Sequence, residues 1–197
     1  MKTFLVVAAA VAALLIGVVL MLVGQYNGLV NRAQAVDAQW AQVQNVYQRR
    51  ADLIPNLVAT VSGAAQFEKS TLTEITNARA SVGKIQFNSA GVPDAAKLAE
   101  FEQAQGALSS ALSRLLVVAE NYPSLKATSN FQELQSQLEG TENRISVERG
   151  RFNDLARDYN AAIKRVPAVF FAGMFGFTEK PYFSAKPGSD APPTVKF

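Results

Sequence analysis

Between Lys2 and Arg32 the chain carries no charge, and inside that stretch Phe4 to Val23 is an unbroken run of twenty apolar or small residues. As a helix this run measures roughly 30 Å, the thickness of a bilayer's hydrocarbon core. A cleavable signal peptide has a shorter apolar region, about 7–15 residues, closed by a small-x-small site. Here the run leaves through Met21, Leu22, Val23, Gly24, Gln25 and Tyr26, which offer no such site. The reading is therefore an uncleaved anchor over residues 1–25. Ala9, Ala13 and Gly17 fall four apart within it, a stripe of small residues that lets transmembrane helices approach closely; alanine's abundance in such helices is the plainer explanation. Lys2 beside the run, against only Arg32 and Asp37 on its other flank, leans toward a cytoplasmic N-terminus and an extracytoplasmic domain.

After the anchor, apolar residues recur in alternating steps of three and four. Tyr26, Leu29, Ala33, Val36, Trp40, Val43 and Tyr47 form one such seam, with Asn31, Gln34, Asp37, Gln42 and Gln44 between them. No proline precedes Pro55, so the anchor is expected to run on into this helix. Pro55 predicts a break, because it lacks an amide proton and restricts Ile54. A second helix is expected from Pro55 to Ser81, with Leu57, Val61, Ala64, Leu72, Ile75 and Ala78 apolar, followed by a loop from Gly83 to Pro93 that includes Asn88. Asp94 is placed to favour a helix start.

The third helix repeats the period through Leu98, Phe101, Gln105, Leu108, Leu112, Leu115, Ala119 and Tyr122, and ends at Asn121, Tyr122 and Pro123. A fourth runs through Phe131, Leu134, Leu138, Thr141, Ile145, Glu148, Phe152, Leu155, Tyr159, Ala162 and Val166, with Asn130 and Glu133 as a capping pair, and stops at Pro167. The fold class is all-α: a transmembrane helix continuing into an antiparallel four-helix bundle of long helices with coiled-coil character, residues 26–166. Gln105, Thr141 and Glu148 are polar at seam positions, which points to register fixing before ligand binding.

Residues 167–180 form an apolar Phe- and Gly-rich segment, and 181–197 a proline-containing irregular tail with Pro181, Pro187, Pro192 and Pro193. The stretch from Val166 to Phe177 is uncharged and holds Phe170, Phe171, Phe175 and Phe177. It is too short to span a bilayer and is expected to pack under the bundle, meet the membrane interface or contact another subunit.

The residue inventory narrows the chemistry. No histidine and no cysteine occur, so an ordinary Ser-His triad, thiol catalysis, disulfides and thiolate metal sites are excluded. The net charge of +3 is spread thinly, so no basic patch supports nucleic-acid binding. Ser81 and Lys84 match an S-x-x-K spacing without its companion motifs. Glu139 and Glu142, followed by Arg144, read as a solvated salt-bridged face. There is no P-loop, dinucleotide fingerprint or EF-hand string, and no cofactor is expected.

The strings YNGLV (Tyr26–Val30), QWAQV (Gln39–Val43), QRRADLIPNLV (Gln48–Val58), ALSRLLVVAENYPSLKA (Ala111–Ala127) and LEGTENRI (Leu138–Ile145), with RFN (Arg151–Asn153), YN (Tyr159–Asn160), FGF (Phe175–Phe177) and PYF (Pro181–Phe183), closely resemble the bacterial LemA family in this order. The resemblance implies a single-pass bacterial membrane protein with a helical domain, no settled enzymatic activity, and relatives that include a magnetosome-membrane protein. Many members resemble one another in carrying histidine where this chain has Phe67. The matching Arg49, Arg50, Pro55, Asn56, Glu142, Asn143 and Arg144 are candidates for tying helices together or for contacting a partner. The expected function is a non-enzymatic, self-associating membrane scaffold or adapter in the inner membrane. Its expected partners are lipid and further copies of itself, with another membrane protein such as a protease in the alternative reading of a binding module.

Overall fold

A computed structural model describes residues 1–63, 68–85 and 91–184; Ala64, Phe67, Asn88, Pro187, Pro192 and Pro193 lie outside the described residues. Helix α1 is a single element, Lys2–Ser62, of 61 residues, about 90 Å long at the ordinary rise. Its first third is the apolar run, which the rest of the chain leaves exposed. In hydrocarbon, where backbone groups find no water, a lone segment meets its hydrogen bonds only as a helix.

The break predicted at Pro55 does not occur. Helix α1 passes through it, and its buried face, Leu29, Val36, Trp40, Val43, Tyr47, Arg50, Ile54, Leu57 and Val61, keeps the three-four period on both sides. Proline has no N–H for the Ala51 carbonyl four residues back. That carbonyl is served from another helix: Arg79 Nε donates to Ala51 O at 3.1 Å. The second helix accordingly starts later than predicted, as α2, Lys69–Gly83.

Helix α3 covers Ala95–Ala119 and opens on Asp94, whose side chain accepts from the Lys97 N–H, satisfying one of the amides a helix start leaves unpaired. A single turn, α4 (Pro123–Lys126), follows. Helix α5 then runs Ser129–Lys164. Its cap is Thr128, which accepts from the Phe131 N–H, and not the Asn130–Glu133 pair predicted. Val166, placed on the seam by its spacing, lies beyond the helix and is 74% exposed.

Helix α1 packs mainly on α5, and α2 mainly on α3. Gln39 meets Glu148 while Arg50 meets Glu142, so the residue order of α5 is reversed along α1. Two apolar clusters result. The one nearer the anchor holds Trp40, Tyr47, Leu98, Phe101, Ile145, Phe152 and Tyr159; the distal one holds Ile54, Leu57, Ile75, Leu108, Leu115, Phe131 and Leu138.

Beyond α5 come two short 3-10 turns, Ala168–Phe170 and Gly173–Phe175. Gly176 ends the second in the left-handed region at φ +78°, a conformation that costs glycine nothing. The chain then extends along α5 to Ser184.

Candidate functional site

Between the two clusters lies a polar layer. Arg50 occupies a seam position of α1 and is only 2% exposed, where an unpaired charge would be prohibitive. One terminal nitrogen donates to Ser109 Oγ at 2.7 Å and to Glu142 Oε2 at 2.9 Å. The other donates to the Gln105 carbonyl at 3.2 Å and to Gln105 Oε1. Its guanidinium carbon sits 5.2 Å from the centre of the Tyr47 ring, and Nε has no hydrogen-bond partner among the described residues. One arginine thus joins α1, α3 and α5. A slip of one heptad on α3 would bring Leu98 or Leu112 against it, so the layer penalises wrong registers.

A cavity of about 710 Å³ opens beside this layer, lined in part by Tyr47, Arg50, Glu102, Ser109, Glu142 and Arg149. Arg149 donates to Glu102 at 2.6 Å and to the Ser184 carbonyl at 2.9 Å. Burial raises the Glu102 carboxyl above its ordinary value, although Arg149 and the Ser184 N–H pull it down. Burial likewise raises the Tyr47 phenol, against the opposing charges of Arg149 and Arg50, so it stays protonated at neutral pH. Ser109 Oγ accepts a hydrogen bond from an arginine, whereas an activated nucleophile donates to a base. The arrangement positions charges against one another and offers hydrogen bonds. Among the described residues no group of three or more His, Cys, Asp or Glu could hold a metal ion.

The second feature is a strap. Asn153 Nδ2 donates to Phe183 O at 3.0 Å, and its Oδ1 accepts from Phe183 N at 2.8 Å. Asn160 makes the same pair of bonds with Lys180, both at 2.8 Å. Seven residues of helix advance about 10.5 Å, and three residues of extended chain about 10 Å. Two asparagines one heptad apart therefore match two strap residues three apart. Phe183 is thereby driven into an aromatic pocket, 6.0 Å from Trp40, 5.3 Å from Phe152 and 4.6 Å from the Arg149 guanidinium, measured to ring centres. Lys180 Nζ adds a 2.9 Å bond to Asp37 on α1.

The predicted site residues are distributed unevenly. Arg50 and Glu142 come together; Arg49, Pro55 and Asn56 lie exposed on α1, and Asn143 and Arg144 exposed on α5. Ala9, Ala13 and Gly17 are exposed on the apolar run. Phe170 and Phe175 are exposed, whereas Phe171 and Phe177 are half-buried. Sequence reasoning offered Arg50 as a residue that ties helices together or contacts a partner but left it off the seam, although 47, 50, 54 and 57 continue it. It passed over Glu102, Arg149, Asn153, Asn160 and Phe183; the RFN, YN and PYF strings carried the last three without revealing that they pair.

A sequence profile described as the LemA family matches residues 39–197. The magnetosome protein MamQ of Magnetospirillum gryphiswaldense is 26% identical over 194 residues, covering 90% of this chain and 71% of the relative. Magnetosome protein MamQ 2 of Paramagnetospirillum magneticum is 26% identical over 190 residues, covering 85% of this chain and 68% of its own.

Proposed function

The chain belongs to the LemA family, and on that premise we propose that it is a membrane-anchored, self-associating helical scaffold or adapter that acts by assembly and not by catalysis. The observation that carries this is the continuity of α1 from Lys2 to Ser62. One helix is both the apolar run and a wall of the core, so the bundle cannot swivel freely on its anchor. The run is unburied by its own chain, which leaves its circumference to lipid or to another copy. Ala9, Ala13 and Gly17 give a second copy a face of close approach. The bundle sits on the extracytoplasmic side of the inner membrane in this reading, as the flanking charges favour. The relatives carry magnetosome names, and by analogy the work is the organisation of a membrane.

The absence of native cysteine makes the test direct. Ala13→Cys is expected to form a disulfide-linked dimer on oxidation in native membranes, and Leu15→Cys, on another face, is not. Equal cross-linking at both positions, or none at Ala9, Ala13 and Gly17 together with a monomer by light scattering in nanodiscs, would remove self-association.

The cavity beside Arg50 favours a second reading, a module that recruits or regulates another membrane protein. Affinity capture from native membranes separates the two. One foreign membrane protein at a 1:1 ratio supports the module, and recovery of this chain alone supports the scaffold.

A further inference from the structure

The uncharged stretch from Val166 to Phe177 buries only part of its apolar surface. Ala168 and Ala172 are the residues that enter the core. Phe175 meets the Tyr26 ring edge-on at 5.3 Å, and Phe177 meets it at 5.5 Å. Tyr26 stands three residues past Val23, about 4.5 Å along the helix axis. The two 3-10 turns are thereby held at the height where α1 leaves its apolar run. What they turn outward there is Val169 at 47% exposure, Phe170 at 75%, Met174 at 85% and Phe175 at 60%.

An apolar patch of this kind, clustered where α1 leaves its apolar run, is not ordinary water-facing surface. Between it and the anchor lies a groove of about 280 Å³ lined by Leu22, Val23, Tyr26, Phe171 and Phe175. Leu22 and Val23 are the last residues of the apolar run itself, so one wall of the groove already belongs to the surface that meets hydrocarbon. Arg165, exposed, precedes the segment, placing a cation where phosphate headgroups would lie; its neighbour Lys164 is paired with Glu179 at 2.9 Å. The segment is fixed and not dangling. Val169 N–H donates to Arg165 O at 2.9 Å, Phe177 N–H to Ala172 O at 3.0 Å, and the Asn160 clamp on Lys180 holds the chain just beyond it.

We infer that residues 166–177 form a second, non-spanning membrane contact. It is a foot whose Phe170, Met174 and Phe175 enter the headgroup–acyl boundary of the leaflet that α1 exits, with a lipid acyl chain in the groove against Leu22 and Val23. The occupant is lipid because the groove is continuous with the anchor's own lipid-facing surface. The inference rests on α1 crossing the bilayer and is independent of self-association. Two contacts, one spanning and one interfacial, fix the tilt of the bundle against the membrane.

The test uses full-length single-cysteine variants carrying a nitroxide, in liposomes of phosphatidylethanolamine and phosphatidylglycerol, with collision accessibility read for oxygen and for a water-soluble nickel chelate. Met174→Cys is expected to be oxygen-rich and nickel-poor, resembling Leu15→Cys in the anchor, with a ratio several-fold above that of Val147→Cys on the exposed face of α5. Nickel accessibility at Met174 equal to that at Val147 would overturn the foot. So would shielding from both reagents, which would mean that protein, such as a second copy, covers it. If Leu15→Cys were itself nickel-accessible, the membrane anchor would fall and the foot with it, so the two failures are told apart.

Discussion

Replacing Phe183 with alanine isolates the strap. The side chain is 5% exposed and packs on Trp40, Phe152 and Arg149. Truncating a buried phenylalanine costs about 3–5 kcal/mol. The four amide bonds from Asn153 and Asn160, worth roughly 2–6 kcal/mol together at about 0.5–1.5 each, are joined by those of Arg149 to the Ser184 carbonyl and Lys180 to Asp37. The loss is thus comparable to those four amide bonds taken together. It falls on the strap alone, because the seams of α1, α3 and α5 are unchanged. The expected result is local release with the helices intact. Trp40 is the only tryptophan and lies in the vacated pocket, so its emission should move to longer wavelength and become quenchable by acrylamide. The amides of Lys180, Phe183 and Ser184 should lose hydrogen-exchange protection, while the far-ultraviolet helix signal at ordinary temperature changes little. Unchanged Trp40 emission with unchanged protection would refute this account, and so would loss of the whole helical signal.

Two further predictions address α1 and the polar layer. If Arg79 serves the carbonyl that Pro55 cannot, Arg79→Ala should destabilise the native chain by roughly 1–2 kcal/mol and do much less in a Pro55→Ala background, where residue 55 regains an N–H. Equal costs by chemical denaturation in both backgrounds would show no coupling. For Glu102, burial raises the folded-state pKa above 4.5, so the folded state holds its proton more tightly than the unfolded one. Its contribution is full below pH 4.5 and is lost as pH rises through the folded value. Thermal melts should therefore show the native chain losing stability relative to Glu102→Gln from acid toward neutral pH, and the opposite trend would refute the assignment.

The seams of α1, α3 and α5 were legible because burial on one helical face leaves a three-four period in the residue types themselves. One misreading and one omission share a cause. A local rule at Pro55 outweighed the register of Ile54, Leu57 and Val61, and a charge preference at Arg50 hid its place in the same register. In both, the compensation is tertiary. Arg79 on α2 supplies the missing donor, and Gln105, Ser109 and Glu142 on two other helices accept from the buried guanidinium. The strap was less legible still, since an asparagine that grips backbone has the same letter as one facing water. The heptad spacing of Asn153 and Asn160 acquires meaning only when an extended segment lies alongside. Val166 failed as a seam position because the chain leaves the helix before it.

Continuity of α1 also decides whether the proposed contacts are compatible. At about 100° per residue, the stripe of Ala9, Ala13 and Gly17 is rotated roughly 150° from the seam of Leu29, Val36, Trp40 and Val43. Two copies meeting along the stripe would therefore carry their bundles outward, each seam closed by its own α5. The groove walls Leu22, Val23 and Tyr26 lie between these directions, roughly 135° from the stripe, on the flank where the end of α5 delivers the foot. Lipid at the foot and protein at the stripe would occupy different faces of one rod. Had Pro55 broken the helix, this would still hold, because every residue concerned precedes it. A hinge at Gly24 or Gly28 would undo it, and α1 passes both without interruption.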